Sequence, residues 1–203
     1  MTTSGRIELM APAGNFESMQ AALDNGCDSI YFGVEQLNMR ARATVNFVLD
    51  DLPEIARRCN EKNVRTYLTL NTIIYDHDLS IVKTLLTKAK EAGITAVIAS
   101  DQAVIMTART IGMEVHISTQ LNVTNIETVK FYAMFADTIV LSRELSLRQV
   151  KKITEDIEKE QVKGPIGNLV EIEIFGHGAL CMAVSGKCYL SLHSHNSSAN
   201  RGA

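Results

Sequence analysis

The stretch Ala96-Val97-Ile98-Ala99-Ser100-Asp101-Gln102-Ala103-Val104-Ile105-Met106-Thr107-Ala108-Arg109-Thr110-Ile111-Gly112-Met113-Glu114-Val115-His116-Ile117-Ser118 decides how this chain folds. Residues 96–100 and 114–118 are short apolar runs that predict strands, and residues 102–110 predict the helix between them. Asp101 stands where a helix N-cap is needed. Gly112 follows the helix, where a left-handed C-cap is easiest for glycine. Strand, helix and strand in this order are the unit of a parallel sheet wrapped by helices.

The same unit repeats in both directions. Further strands are predicted at 7–11, 29–32, 66–70, 138–141 and 170–175. Further helices are predicted at 16–25, 51–62, 79–92, 126–136 and 147–160. The last helix is clearest: Leu147, Val150, Ile153 and Ile157 recur at helical spacing, with Lys151, Lys152, Glu155 and Asp156 on the other face. Asn25-Gly26 and Ala92-Gly93 end two other helices, and the run from Lys163 to Asn168 is the longest breaker-rich connection. This rhythm predicts an α/β fold, a (β/α)-barrel-like parallel sheet with outer helices. Such a barrel needs eight strands, so the expectation is a single domain over 1–203 that is incomplete at its C-terminus and forms the N-terminal part of a longer protein. An open sheet edge would then offer a surface for oligomer formation.

Composition excludes several classes. In 203 residues, 46% are hydrophobic and 21% charged, which is the balance of a folded globular domain. The net charge of −3 gives no general footprint for nucleic acid, so RNA binding would need a local basic patch. No apolar run approaches the roughly 20 residues of a membrane span. The start, Met1 to Arg6, has no secretory pattern, and a cytoplasmic location is the expectation. Four cysteines in that setting are thiols or metal ligands before they are disulfides. Cys27 beside a strand and Cys59 on a helix's apolar face read as small buried hydrophobes.

Reactive groups in a parallel barrel gather where strands end. Those positions hold Pro12, Gly14, Gly33, Asn71, Asp101, Ser118, Gln120, Arg143, Glu144, Glu173, Phe175 and His177. Arg40 and Arg42 lie in the loop after the second strand. From these, Arg40, Arg42, Asn71 and Gln120 are the candidate substrate-binding residues, since guanidinium and amide groups hold carboxylates or phosphates. His177, Glu173 and Arg143 are the candidate catalytic residues. His116, between Val115 and Ile117, reads as structural, and His77 as a loop residue. Cys181 and Cys188, with six residues between them, could bind a metal or an iron–sulfur cluster. His193 and His195 could complete a zinc site with them, although exposed loop histidines are the simpler reading. There is no His-Glu-x-x-His helix and no Gly-x-Ser-x-Gly elbow.

The segment from Glu173 to Ser191 resembles the signature of the collagenase-like peptidase family U32, with Glu173, Phe175, Gly178, Ala179, Leu180, Cys181, Gly186, Cys188, Leu190 and Ser191 in its fixed positions. Ala11-Pro12-Ala13-Gly14, Tyr31-Phe32-Gly33, the run from Asn38 to Arg42, and Ser118-Thr119-Gln120 resemble other blocks of that family. The resemblance implies an iron–sulfur enzyme that hydroxylates an RNA base, in tRNA or ribosomal RNA, without molecular oxygen; relatives act on a quinone ring. It implies Cys181 and Cys188 as two of four cluster ligands, the others lying beyond Ala203, so that this fragment would hold no cluster by itself. A small carboxylate oxygen donor would suit the arginines. The alternative is a metal-dependent, collagenase-like peptidase with zinc and a peptide substrate.

Overall fold

A computed structural model describes residues 7–34, 47–178, 183–185 and 193. Its strands are β1 (Met10–Pro12), β2 (Ser29–Phe32), β3 (Arg65–Leu70), β4 (Ala96–Ala99), β5 (Glu114–Ile117), β6 (Thr138–Val140) and β7 (Glu171–Glu173). They alternate with α1 (Phe16–Asp24), α2 (Leu52–Glu61), α3 (Leu79–Glu91), α4 (Gln102–Thr110), α5 (Ile126–Ala133) and α6 (Leu147–Glu160). The seven strands form one sheet in sequential order, and every neighbouring pair is parallel. The result is a half-barrel with outer helices, with β1 and β7 as its edges.

The period of two along each strand separates two interiors. Ile30, Phe32, Leu68, Leu70, Val97, Val115, Ile117 and Ile139 face outward and share one buried cluster with the helices. Tyr67, Ala96 and Ile98 form a smaller cluster on the opposite, inner face, with Met10 and Tyr31 against it. Cys27 and Cys59 belong to the outer cluster, 7% and 0% exposed. Burial above all, with the nearby Cys27 thiol second, pushes the Cys59 thiol up to about 11. Both are neutral packing groups, as their sequence positions suggested.

Local chemistry sets the element ends. Asn15 and Ser18 cap α1 reciprocally: Asn15 Oδ1 accepts from the Ser18 amide at 2.8 Å, and Ser18 Oγ accepts from the Asn15 amide at 3.1 Å. Asp101 caps α4 through the Ala103 amide at 2.8 Å, and its second oxygen accepts from the Ile74 amide at 3.0 Å. One carboxylate thus ties the loop after β3 to the following helix. The first strand was expected at 7–11 but is displaced toward Pro12. Ile7 pairs with no strand among the described residues and is 90% exposed. The fifth helix ends at Ala133 rather than 136, because its last amides turn to carbonyls three residues back, Met134 to Phe131 and Phe135 to Tyr132.

The connection from α6 to β7 folds tightly on Asp137. The Gly164 amide donates to the Asn168 carbonyl at 2.9 Å, and the Ile166 amide donates to Asp137 Oδ1 at 3.0 Å. A Cβ on Gly164 would sit 2.3 Å from Asp137 Oδ1 and 2.8 Å from its Cα. Gly164→Ala is therefore expected to destabilise the fold by about 1–3 kcal/mol, as overpacking against backbone does. Urea unfolding checks this, and an unchanged midpoint would show that the turn can move aside.

Candidate functional site

The C-terminal ends of the strands surround a cavity of about 70 Å³. Tyr31 from β2, Thr69 and Asn71 from the end of β3, and Ile98 from β4 form one wall. Ser118 and Thr119 after β5, Val140 from β6, and Glu173 and Phe175 at the end of β7 form the other. These residues converge because they are the inward members of successive strands, brought level by the parallel register. Thr69 and Glu173 line the cavity, and Thr69 Oγ1 and Glu173 Oε2 are buried without a hydrogen bond among the described residues, Oε2 on the side toward His116. The cavity's volume is well below the ~300 Å³ of pockets that take drug-sized ligands, and it suits a small group more than an extended peptide.

The predicted site residues divide by position. Asn71 and Glu173 line the same cavity. Arg143 is exposed at its rim, with the guanidinium 5.9 Å from the centroid of the Phe175 ring. Gln120 lies in the 3₁₀ turn Thr119–Leu121, whose start is capped by Ser118 Oγ accepting from the Gln120 amide at 3.3 Å, and its side chain is not part of the wall. His177 is exposed and also outside the wall. Arg40 and Arg42 fall outside the described residues, but Val34 and Phe47 on either side of that segment pair as a parallel bridge. Both ends of the arginine-bearing segment therefore meet just past β2.

Cys181 and Cys188 also lie outside the described residues, whereas Ser185 between them is fully buried. Its amide donates to Glu144 Oε1 at 2.6 Å, and its hydroxyl lies 3.3 Å from Glu144 Oε2 and 3.4 Å from Thr119 Oγ1. Thr119 is itself part of the cavity wall. The cysteine segment is thus fastened at its middle to the cavity mouth by the residues after β5 and β6. Burial works to raise the Glu144 carboxyl, but the hydrogen bonds from Ser185, the Glu144 backbone amide and the charge of Arg143 together hold the group below its usual range. This clamp is complete above the ordinary carboxylate range and is lost as pH falls through the lowered value. At neutral pH, Glu144→Ala is expected to lower protection of the Ser185 amide against hydrogen exchange. Equal protection in the variant would mean that Glu144 does not hold the segment.

Sequence reasoning missed the groups beneath the cavity. His116 is 2% exposed, with Nε2 3.1 Å from Glu114 Oε1 and Nδ1 3.7 Å from Glu173 Oε2. Arg65 reaches Glu114 at 2.9 Å and Glu8 at 3.3 Å, and the Tyr67 hydroxyl donates to Glu8 at 2.6 Å. Burial acts to raise Glu114, yet His116 and then Arg65 hold it lower than usual. The available signal was the alternation Glu114-Val115-His116-Ile117, which puts the acid and the histidine on one face. Among the described residues, no three His, Cys, Asp or Glu side chains come together to hold a metal ion.

A family model described as Peptidase family U32 matches residues 14–203. A protein named collagenase from Porphyromonas gingivalis is 57% identical over 97% of this chain and 48% of its own length. The 23S rRNA 5-hydroxycytidine C2501 synthase of Escherichia coli is 33% identical over 98% of this chain and 29% of its own. The tRNA hydroxylation protein P1 of Bacillus subtilis is 31% identical over 96% of this chain and 44% of its own. The chain spans about half the length, or less, of these relatives. A solved structure described as a U32 peptidase superposes with a TM-score of 0.59 at 15% identity, covering 86% of this chain and 70% of that one, which supports the barrel-like fold.

Proposed function

The chain belongs to peptidase family U32, and from that we propose that the full-length protein is an iron–sulfur-dependent, oxygen-independent hydroxylase of an RNA base, in tRNA or ribosomal RNA. The observation that carries this reading is the burial of Ser185 against Thr119 and Glu144, which fastens the segment between two cysteines to the mouth of a small cavity. A segment that carries two thiols and is docked through Ser185 at a compact cavity suits redox chemistry on a small planar group. Relatives named for tRNA and rRNA hydroxylation align over almost the whole chain.

Cys181 and Cys188 supply two thiolates, half of a four-cysteine set. Cys27 and Cys59 do not complete it, since both are packed on the helix side of the sheet. When bound, the cluster supplies one-electron chemistry. The other residues bind and orient. Tyr31 and Phe175 flank a flat ring, Asn71 and Glu173 meet its polar edge, and Arg143 at the rim, with Arg40 and Arg42, meets phosphate or a small carboxylate oxygen donor. Such chemistry belongs in the cytoplasm, where these RNAs are. Among the described residues no helix is long and apolar enough to cross a membrane.

A second reading, a metal-dependent collagenase-like peptidase, is favoured by the 57% identity to the protein named collagenase. Anaerobic purification of the full-length protein, with iron, sulfide and zinc analysis, separates the two. The proposal expects a coloured protein with iron and sulfide in equal amounts. A colourless zinc protein that cleaves peptides would overturn it.

A further inference from the structure

The ring of His116 lies 4.5 Å from the Tyr67 ring, tilted by 47°, and a carboxylate addresses each of its nitrogens. Nδ1 and the Glu173 Oε2 facing it make no hydrogen bond among the described residues. A neutral imidazole has only one N–H. With that proton on Nε2, the Nδ1 lone pair would face Glu173 across 3.7 Å; with it on Nδ1, the Nε2 lone pair would face Glu114 at 3.1 Å. An imidazolium donates to Glu114 at 3.1 Å and turns a positively charged N–H, in place of a lone pair, toward Glu173.

The surrounding charges favour that form. From β3 come Arg65 and Tyr67, from the segment before β1 comes Glu8, and from β5 itself comes Glu114. β7 contributes Glu173, while β4 and β6 contribute the uncharged Ile98, Thr138 and Val140. Arg65 already divides its one positive charge between Glu8 and Glu114. Burial works to strip the His116 proton, but Glu114 and then Glu173 outweigh it and raise the ring's proton affinity. The stabilisation is full below the ordinary histidine range and is lost as pH rises through the raised value.

We propose that His116 is an imidazolium that stores a proton beneath Glu173, allowing Glu173 to pass that proton to a ligand in the cavity and to recover it. The step moves a proton only: Nδ1 and Glu173 close from 3.7 Å to hydrogen-bond distance, the carboxylate takes the proton, and its rotation presents that proton to the ligand, with the reverse path restoring the start. His116 is a positioning residue acting through Glu173, and Glu114 with Arg65 fixes its ring. The inference concerns the cavity of the proposed function, but it needs only Glu173 at that cavity and holds for either substrate.

The test is nuclear magnetic resonance of the full-length protein with isotope-labelled histidine, using His116→Gln to assign the ring. Both ring nitrogens should carry protons at neutral pH. Glu173→Gln, at a side chain 24% exposed, keeps the volume of the site and should move the ring's titration down by about one pH unit, the effect of removing one close opposite charge. A singly protonated ring at neutral pH, or a titration unmoved by Glu173→Gln, would overturn the proposal. Should His116→Gln fail to fold, the signal lost in Glu114→Gln relative to wild type assigns the ring instead. Absence of RNA hydroxylation by the wild type would count against the proposed function alone, because the ring titration is read without substrate.

Discussion

Phe47→Ala is expected to lower the unfolding free energy by about 3–5 kcal/mol, the range for removing a buried phenylalanine. Phe47 is 2% exposed and stands at the centre of an aromatic trio. Its ring lies 5.1 Å from Phe16 at 84° and 5.6 Å from Phe32 at 80°, both edge-to-face. Phe16 begins α1 and Phe32 ends β2, so one side chain joins a helix, a strand and the far end of the segment bearing Arg40 and Arg42. Against a total stability of about 5–15 kcal/mol for a domain, that loss is large. Urea unfolding measures it, with Phe47→Leu expected to lose much less because it refills most of the space. A loss below about 1 kcal/mol for alanine would show that neighbouring side chains collapse into the gap and that the trio is no anchor.

The second large effect concerns the thiols. In the full-length protein, Cys181→Ser and Cys188→Ser are each expected to reduce iron content and RNA hydroxylation by about 100-fold or more, since removing a ligand exceeds the 10–100-fold typical of the groups behind it. Cys27→Ser and Cys59→Ser are expected to leave iron content unchanged while lowering stability, because a hydroxyl replaces a thiol in the apolar outer core. The opposite pattern, iron lost from Cys59→Ser and retained in Cys181→Ser, would refute the ligand assignment.

The fold was legible because each strand–helix unit carries its own punctuation. β2, α4 and α6 were expected at 29–32, 102–110 and 147–160, the bounds they have in the structure. Asp101 is the cap it was read to be. Strand ends at the sheet margin were less legible: Ile7 reads as strand by composition, but pairing decides, and β1 has a neighbour on one side only. Position along a strand was enough to place Asn71 and Glu173 at the strand-end cavity. The site was not legible where two distant strands meet. His116 reads as structural from Val115 and Ile117, yet those neighbours face the helices while the histidine faces the barrel interior. Its encounter with Glu173 depends on the pairing of His116 with Thr138 and of Thr138 with Glu171, which places β7 beside it through β6. The docking of Ser185 depends likewise on Glu144, a contact that no local pattern announces.

The proposed RNA hydroxylation is open to mass spectrometry of nucleosides from the tRNA and ribosomal RNA of cells lacking the gene, complemented with the wild-type or the Glu173→Gln full-length protein. The expected result is one nucleoside heavier by a single oxygen atom that disappears on deletion, persists in cells grown without oxygen, returns with the wild type and stays at low abundance with Glu173→Gln. Identical nucleoside profiles with and without the gene would contradict the claim.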